Sequence, residues 1–129
     1  MKYLAKIIAG DLEGLRMISA YSSAAKVKIS DIKYLVSNKV FLLSIERIKV
    51  ENENEDNKVN SILRFDFVDK VRSKNIDQSN QEAVLELVGI DYLKNNDVYE
   101  INLIFNNNAH IALSTETIEA RLEDQSEIK

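Results

Sequence analysis

The sequence predicts an α+β fold, in which a single antiparallel, strongly curved sheet or split barrel of about six to seven strands carries a helix at each end of the chain. Three observations support this class. Apolar residues recur at helical spacing near the N-terminus, they alternate at period two over most of the remaining chain, and short polar segments separate the alternating runs. Short connections favour antiparallel pairing, and a long meander curls or closes to hide its edges. A pleckstrin-homology-like barrel, plugged by the C-terminal helix, is one arrangement that fits this order of elements.

Length and composition restrict the function classes. The 129 residues have the size of one domain, and we expect residues 1–129 to form one. The net charge of −4 argues against non-specific binding to nucleic acid and against docking on anionic lipid. The absence of cysteine excludes disulfides and zinc–cysteine sites, and we expect no cofactor and no metal. No apolar run approaches the roughly 20 residues of a membrane span, and no signal peptide is visible, so we expect a cytoplasmic protein.

The first elements are a short strand or extended arm over residues 3–9 and then a helix. Asp11 is a suitable N-cap, and Glu13 lies in the first turn, where the helix dipole favours a negative charge. Apolar residues at spacings of three to four continue to about residue 24. Gly14 should weaken the first turn of this helix by up to about 1 kcal/mol relative to alanine.

From residue 25 the period changes to two. The apolar parity switches at Ser30-Asp31, which predicts a bend or bulge, and residues 37–39 are typical of a hairpin loop. A strand over residues 40–50 follows. The charged segment over residues 51–60 has no periodicity, and we expect a mobile polar loop there.

The next predicted strand covers residues 62–74. Leu63, Phe65 and Phe67 share its inner face, and Asp69 would then fall in the core, so we expect a local distortion at Val68-Asp69. A polar loop follows, and then turns separate further strands. Asn106 to Asn108 suit a turn with positive φ, which asparagine tolerates. These further strands are predicted over residues 83–93, 98–105 and 109–113.

The C-terminal segment is predicted to form the second helix. Ser114 or Thr115 would cap it, and Ile118 and Leu122, four residues apart, would form its buried stripe. The polar tail from residue 124 to residue 129 is expected to fray.

Several segments together resemble a family of small, uncharacterised alphaproteobacterial proteins, known only as a domain of unknown function. They occur in the family's order and span nearly the whole chain. The segments are ISA at 18–20, VKISDIKYL at 27–35, RFDFVDKVRSKNID at 64–77, AVLELVGI at 83–90 and IEARLED at 118–124. The resemblance supports one domain and implies no activity, because none is assigned to the family.

Basic residues offer the candidate binding site. Four of them share one parity of the strand over residues 62–74 and would form a positive stripe, and a fifth would lie across from them if the neighbouring strand pairs with this one. These residues are Arg64, Lys70, Arg72, Lys74 and, across from them, Arg47. Arginine presents a bidentate fork to phosphate or carboxylate, so the stripe suits an anion, a peptide or a nucleic acid. The alternative is a solvated outer face whose cations pair with acids such as Asp66 and Glu46.

No catalytic residue can be assigned. His110 is the only histidine, and its position beside Ile111 predicts that it faces away from the core. Two pairs of acids, Asp66 with Asp69 and Asp91 with Asp97, could serve acid–base chemistry, but such pairs are expected by chance in so acidic a chain.

The preferred hypothesis is a non-enzymatic binding or adaptor domain that holds a protein or peptide partner at an edge strand or a barrel mouth. One alternative is a small enzyme whose site combines His110 with scattered carboxylates. The other is a weakly RNA-associated protein that uses the basic stripe, although the net charge makes nucleic acid an unfavoured partner. Neither the partner nor the oligomeric state can be read from the sequence.

Overall fold

The computed structural model describes residues 4–49 and 58–128. It shows a nearly all-β domain in which ten strands belong to one antiparallel sheet and one short helix, α1, covers Leu12–Ser22. The strands are β1 (Lys6–Ala9), β2 (Lys26–Lys28), β3 (Ile32–Leu35), β4 (Val40–Ile48), β5 (Lys58–Phe65), β6 (Val68–Lys74), β7 (Val84–Asn95), β8 (Val98–Phe105), β9 (His110–Thr115) and β10 (Ala120–Ile128).

The order of strands across the sheet is β1-β10-β5-β4-β2-β7-β8-β9-β6. β3 lies off this path and pairs with β4 on the edge opposite β5. The sheet is not closed, because β1 and β6 lie at its opposite ends. The short strand β2 joins the two halves: it pairs with β4 at one residue, Lys26, and with β7 at three. The sheet therefore has two halves, and one cluster of buried apolar residues draws on strands from both.

The predicted α+β class with two terminal helices is wrong. The segment expected to be the second helix forms β10, which pairs with β1 on one side and β5 on the other. Ile118 and Leu122 are four residues apart, a spacing that fits both a helical stripe and alternation at period two. In β10 the alternation decides, since Ala120, Leu122 and Asp124 are all buried. A pleckstrin-homology-like barrel also loses the helix that would plug it.

Two segments that were expected to be irregular belong in part to strands. From residue 124 the tail is part of β10, which continues to Ile128 and pairs with β5 up to that point. Of the expected loop over residues 51–60, residues 51–57 lie outside the described residues, and residues 58–60 already belong to β5.

The predicted strand over residues 62–74 is two strands. The break falls at Asp66 and Phe67. Phe67 adopts a φ of 58° and is 52% exposed instead of facing the core. The predicted distortion at Val68-Asp69 is confirmed, since the pairing of β6 with β9 shifts register between Val68 and Lys70. β5 belongs to one half of the sheet, where it pairs with β4, and β6 belongs to the other half, where it pairs with β9.

The helix is where the sequence placed it, although it ends at Ser22. The Asp11 carboxylate caps it by accepting a hydrogen bond of 2.8 Å from the Gly14 amide. Its buried residues Leu15 and Ile18 pack on the core. On the side towards β7, the Ser19 hydroxyl accepts a hydrogen bond of 2.9 Å from the Ile90 amide, beside a register shift in that strand.

Turn predictions that rested on backbone chemistry are confirmed. Asn107 and Asn108 have positive φ between β8 and β9, and Asn96 has positive φ between β7 and β8. The parity switch at Ser30-Asp31 coincides with a 3-10 turn over Ile29–Asp31, and a second such turn, Val36–Asn38, connects β3 and β4.

Candidate binding cleft between two strand edges

Besides β1 at one end of the sheet, two strands have an edge without a partner strand among the described residues. In the described parts of the chain, β3 pairs only with β4, and β6 pairs only with β9. Although β3 and β6 belong to different halves of the sheet, side chains from both border the same cavity. The open seam of the split sheet therefore contains a cleft, which we call the β3–β6 cleft.

The cavity in the β3–β6 cleft has a volume of about 310 Å³. This is near the lower end of the range for small-molecule sites, about 300–1,000 Å³. Its apolar walls are Ile29, Ile32, Phe41, Val71, Ile76 and Ile111, and its polar groups come from Tyr34, Ser73, Gln78 and Gln81. None of these ten residues carries a charge at neutral pH, so the cleft is suited to apolar groups and to hydrogen bonding by neutral partners.

Hydrogen bonds define both ends of the cleft. At one end the Tyr34 hydroxyl of β3 donates to the Val68 carbonyl at the start of β6, at 2.8 Å, and the Val68 amide donates to the Lys39 carbonyl at 2.8 Å. At the other end, the loop over residues 75–83 crosses from β6 towards β2. Its Gln81 and Ala83 carbonyls accept from the Ser30 and Ile29 amides, each at 3.0 Å.

The Tyr34 end is reinforced by an exposed ion pair between Lys39 and Asp69, with 2.8 Å between the Lys39 Nζ and an Asp69 oxygen. The hydrogen bond to Asp69 and its negative charge raise the pKa of Lys39. An exposed pair such as this contributes little to stability. It does place Asp69 outside the core, in keeping with the register shift at that point.

Three residues of the predicted basic stripe stay together. Lys70, Arg72 and Lys74 are exposed on the outer side of β6, while Val71 and Ser73 face the cavity. Arg72 forms an ion pair with Glu100 of β8. Lys70 and Lys74 lie within 4 Å of no carboxylate in the part of the chain that the structure describes.

The other two residues of the stripe lie elsewhere. Arg64 is on β5, in the opposite half of the sheet, and forms an ion pair of 2.9 Å with Asp66. Arg47 was expected on the surface, across from the stripe. Its strand does pair with β5, but Arg47 points inward and is 0% exposed.

Arg47 is part of a buried polar cluster. Its Nε donates to one oxygen of Asp124 at 2.9 Å, and its Nη2 donates to the other oxygen at 2.7 Å. The Ser61 hydroxyl and the Ala5 amide also donate to this carboxylate, at 2.6 and 2.7 Å. The Arg47 guanidinium lies 5.6 Å from the centre of the Tyr21 ring.

The protonation of Asp124 follows from these contacts. Burial by itself raises the pKa of the carboxyl, because it removes the solvation of the charged form. The hydrogen bonds from Arg47, Ser61 and the Ala5 amide, together with the Arg47 charge, outweigh burial and hold the pKa of Asp124 below its ordinary value. The cluster is a closed structural element, because every oxygen of the carboxylate is engaged and both charged side chains are fully covered.

The candidate acid–base residues do not converge. His110 is half-buried on the outer face of β9, where its Nε2 lies 2.7 Å from the Asn102 side-chain oxygen, so it is less exposed than expected. Asp66 and Asp69 belong to separate ion pairs, with Arg64 and Lys39. In the stretches 4–49 and 58–128, no group of three or more His, Asp or Glu residues could hold a metal ion.

Sequence reasoning missed the β3–β6 cleft. Its walls come from a 3-10 turn, a polar loop and four strands, β3, β4, β6 and β9. Alternation within a strand does not reveal which strand edges remain unpaired. One signal was available: Ile76 is an isolated apolar residue in the polar loop that follows β6, and it lines the cavity.

Comparison with known proteins identifies the family. Within the described residues, no helix has the length and apolar character to cross a membrane. Neither the curated proteins nor the solved structures contain a significant match to this chain. Residues 5–129 match the family described as a protein of unknown function, DUF2948. Because the match covers almost the whole sequence, the chain belongs to the DUF2948 family, as the resemblance of its segments had indicated.

Proposed function

We propose that the protein is a non-enzymatic binding module, which holds an apolar group of a protein or peptide partner in the β3–β6 cleft. The observation that carries the proposal is the coincidence of two features. An apolar cavity of about 310 Å³ lies in the open seam. Among the residues that the structure describes, each of the two strands that border this seam has one edge with no partner strand. Apolar pockets beside a free strand edge are the parts used in β-strand addition.

The side chains that line the cavity favour binding of a partner over catalysis. A catalytic pocket normally contains groups that move protons or attack the substrate. The walls of this cleft offer the hydroxyls of Tyr34 and Ser73 and two glutamine amides, and the Tyr34 hydroxyl is already committed to Val68. Such neutral groups can orient a bound chain through hydrogen bonds without reacting with it.

The proposal is tested by titrating the whole protein, labelled at its isoleucine methyl groups, with indole as an apolar probe. Four isoleucines line the cavity: Ile29, Ile32, Ile76 and Ile111. We expect saturable shifts of these four methyl signals in the NMR spectrum, while isoleucines on the outer faces, such as Ile8 and Ile48, stay unchanged.

A matched pair of variants locates the probe. Ser73→Phe places a ring in the cavity and should abolish the shifts, whereas Ser44→Phe makes the same change at an exposed position of β4 and should preserve them. If the four methyl signals do not respond up to the solubility limit of indole, or if Ser73→Phe leaves the response intact, the proposed function is wrong.

A further inference from the structure

We propose that the partner of the β3–β6 cleft is an extended protein segment in which acidic and apolar residues alternate, and that it adds as a strand to the free edge of β6. This inference rests on the proposed function and specifies the chemistry of the partner. It follows from the two faces of β6: the inner face borders the uncharged cavity, and the outer face carries three exposed cations.

The edge of β6 sets the shape of the partner. Between the contacts at Val68 and the loop that begins at residue 75, β6 runs through residues 69–74 without a partner on this side in the described parts of the chain. At about 3.3 Å per residue, this edge is roughly 20 Å long. A segment paired along it is extended, and its successive side chains point alternately to the inner and the outer side of the sheet.

The inner side selects apolar residues. Val71 and Ser73 of β6 face the cavity, and Phe41 and Ile111 form its buried walls. An inward side chain of an added strand enters the same space, where no charged group is available to pair with an acid or a base. Burying an unpaired charge there would be unfavourable, so the inward positions of the partner are apolar.

The outer side selects acids. Lys70, Arg72 and Lys74 occur at every second residue, and this is the spacing of the outward side chains on an added strand. Opposite charges on neighbouring strands stabilise a pair, whereas like charges destabilise it. The three cations stand out in a chain whose net charge is −4. Within residues 4–49 and 58–128, Arg72 alone of the three has an acidic partner, Glu100.

The same cations disfavour a second copy of this chain as the occupant. If two β6 strands paired antiparallel about Arg72, each Arg72 would face its counterpart and Lys70 would face Lys74. This arrangement sets like charges opposite one another along the whole edge. Lysines at a free edge commonly prevent such self-association, because they repel a second copy of the same edge. A strand that carries acids is not repelled.

The test uses fluorescein-labelled peptides of eight residues, measured by fluorescence anisotropy with the full chain. One peptide alternates glutamate and valine, and the other alternates lysine and valine. We expect saturable binding of the acidic peptide and at least tenfold weaker binding of the basic one, and raising the salt concentration should weaken the acidic complex.

Two changes separate strand addition from simple charge attraction. Lys70→Glu with Lys74→Glu should weaken acidic-peptide binding at least tenfold, while the control Lys6→Glu with Lys26→Glu, which alters net charge equally at exposed sites, should leave it within twofold. A peptide methylated at alternate backbone nitrogens should lose binding in one register of methylation and keep it in the other, because only one edge of the peptide faces β6.

The outcomes are distinguishable from those of the indole titration. If the acidic peptide fails to bind while indole still shifts the cavity methyl signals, this inference is wrong and the binding module stands. Binding that survives both registers of methylation, or that survives Ser73→Phe, would show surface attraction without strand addition and overturn the inference. A dimer in sedimentation that strengthens in the Lys70→Glu, Lys74→Glu variant would identify a second copy as the occupant and overturn it too.

Discussion

Arg47 and Asp124 form a fully buried, two-pronged ion pair between the middle of the chain and its last strand. The two side chains are 0% exposed, and the two nitrogen–oxygen distances are 2.9 and 2.7 Å. Parallel hydrogen bonds between a guanidinium and a carboxylate are the strongest geometry for such a pair. Because Arg47 lies on β4 and Asp124 on β10, with β5 between them, the pair ties three neighbouring strands together.

Removing one charge of this pair should destabilise the fold strongly. We expect Asp124→Asn to lower the free energy of unfolding by about 3–5 kcal/mol, the typical loss when a buried pair is broken on one side. The Arg47→Met, Asp124→Asn double variant should lose less than the sum of the two single variants, because neither charge then remains buried. Urea unfolding measures all three, with Glu123→Gln as the control at the half-exposed neighbour; strictly additive losses would contradict the coupling.

The same carboxylate should make stability depend on pH. The pKa of Asp124 is held lower in the folded protein than in the unfolded chain, where it is about 3.9. Its contribution is therefore complete above the unfolded pKa and is lost as the pH falls through the folded pKa. We expect the free energy of unfolding to fall below about pH 4 in the wild type and to fall less steeply in Asp124→Asn. Parallel pH profiles for the two proteins would refute this role for Asp124.

The buried pair also shows what the sequence can and cannot predict. Arg47 falls on the same parity as Phe41, Leu43 and Ile45, so alternation alone placed it inward. Arg47 was nevertheless expected across from the exposed basic stripe. A buried charge needs a partner, and Asp124 lies 77 residues away in the sequence. A long-range pair of this kind cannot be read from local pattern.

Local pattern succeeded where the physical cause is local. The Asp11 cap, the asparagine turns and the strand over Val98–Phe105 depend on a few adjacent residues, and each was predicted. β10 failed because the spacing of Ile118 and Leu122 fits two periods, and only its pairing with β1 and β5 decides between them. The β3–β6 cleft was beyond prediction for the same reason, since unpaired edges are a property of the whole sheet.

Gly14 should be needed for the approach of the helix to β1. A Cβ at this position would lie 2.8 Å from the Cβ of Ala9 and 2.9 Å from its Cα. Alanine favours the helix by about 1 kcal/mol, but overpacking costs about 1–3 kcal/mol, so we expect Gly14→Ala to lower thermal stability. Gly10→Ala is the matched control, because a Cβ there meets nothing within 4 Å. Equal melting temperatures for the two variants would contradict the close approach.

Phe67 should be a point of backbone strain. Phe67 has a φ of 58°, a conformation that is unfavourable for a bulky residue. Its ring is largely exposed, so burial of the ring offsets little of this cost. Asparagine tolerates the left-handed region, where other residues lose roughly 1–2 kcal/mol. We therefore expect Phe67→Asn to raise the free energy of unfolding by about 1 kcal/mol and the reverse change, Asn96→Phe, to lower it similarly, as measured by chemical denaturation. A loss of stability in Phe67→Asn would show that packing of the ring outweighs the strain.

The central claim is that the seam between β3 and β6 is a binding site, and the most direct measurement is a crystal structure of the protein soaked with 5-bromoindole. The anomalous signal of bromine locates the probe independently of its shape. We expect one bromine site in the cavity between Phe41, Val71 and Ile111. Bromine found only on the outer faces of the sheet, with the cavity empty at saturating concentrations of the probe, would contradict the account.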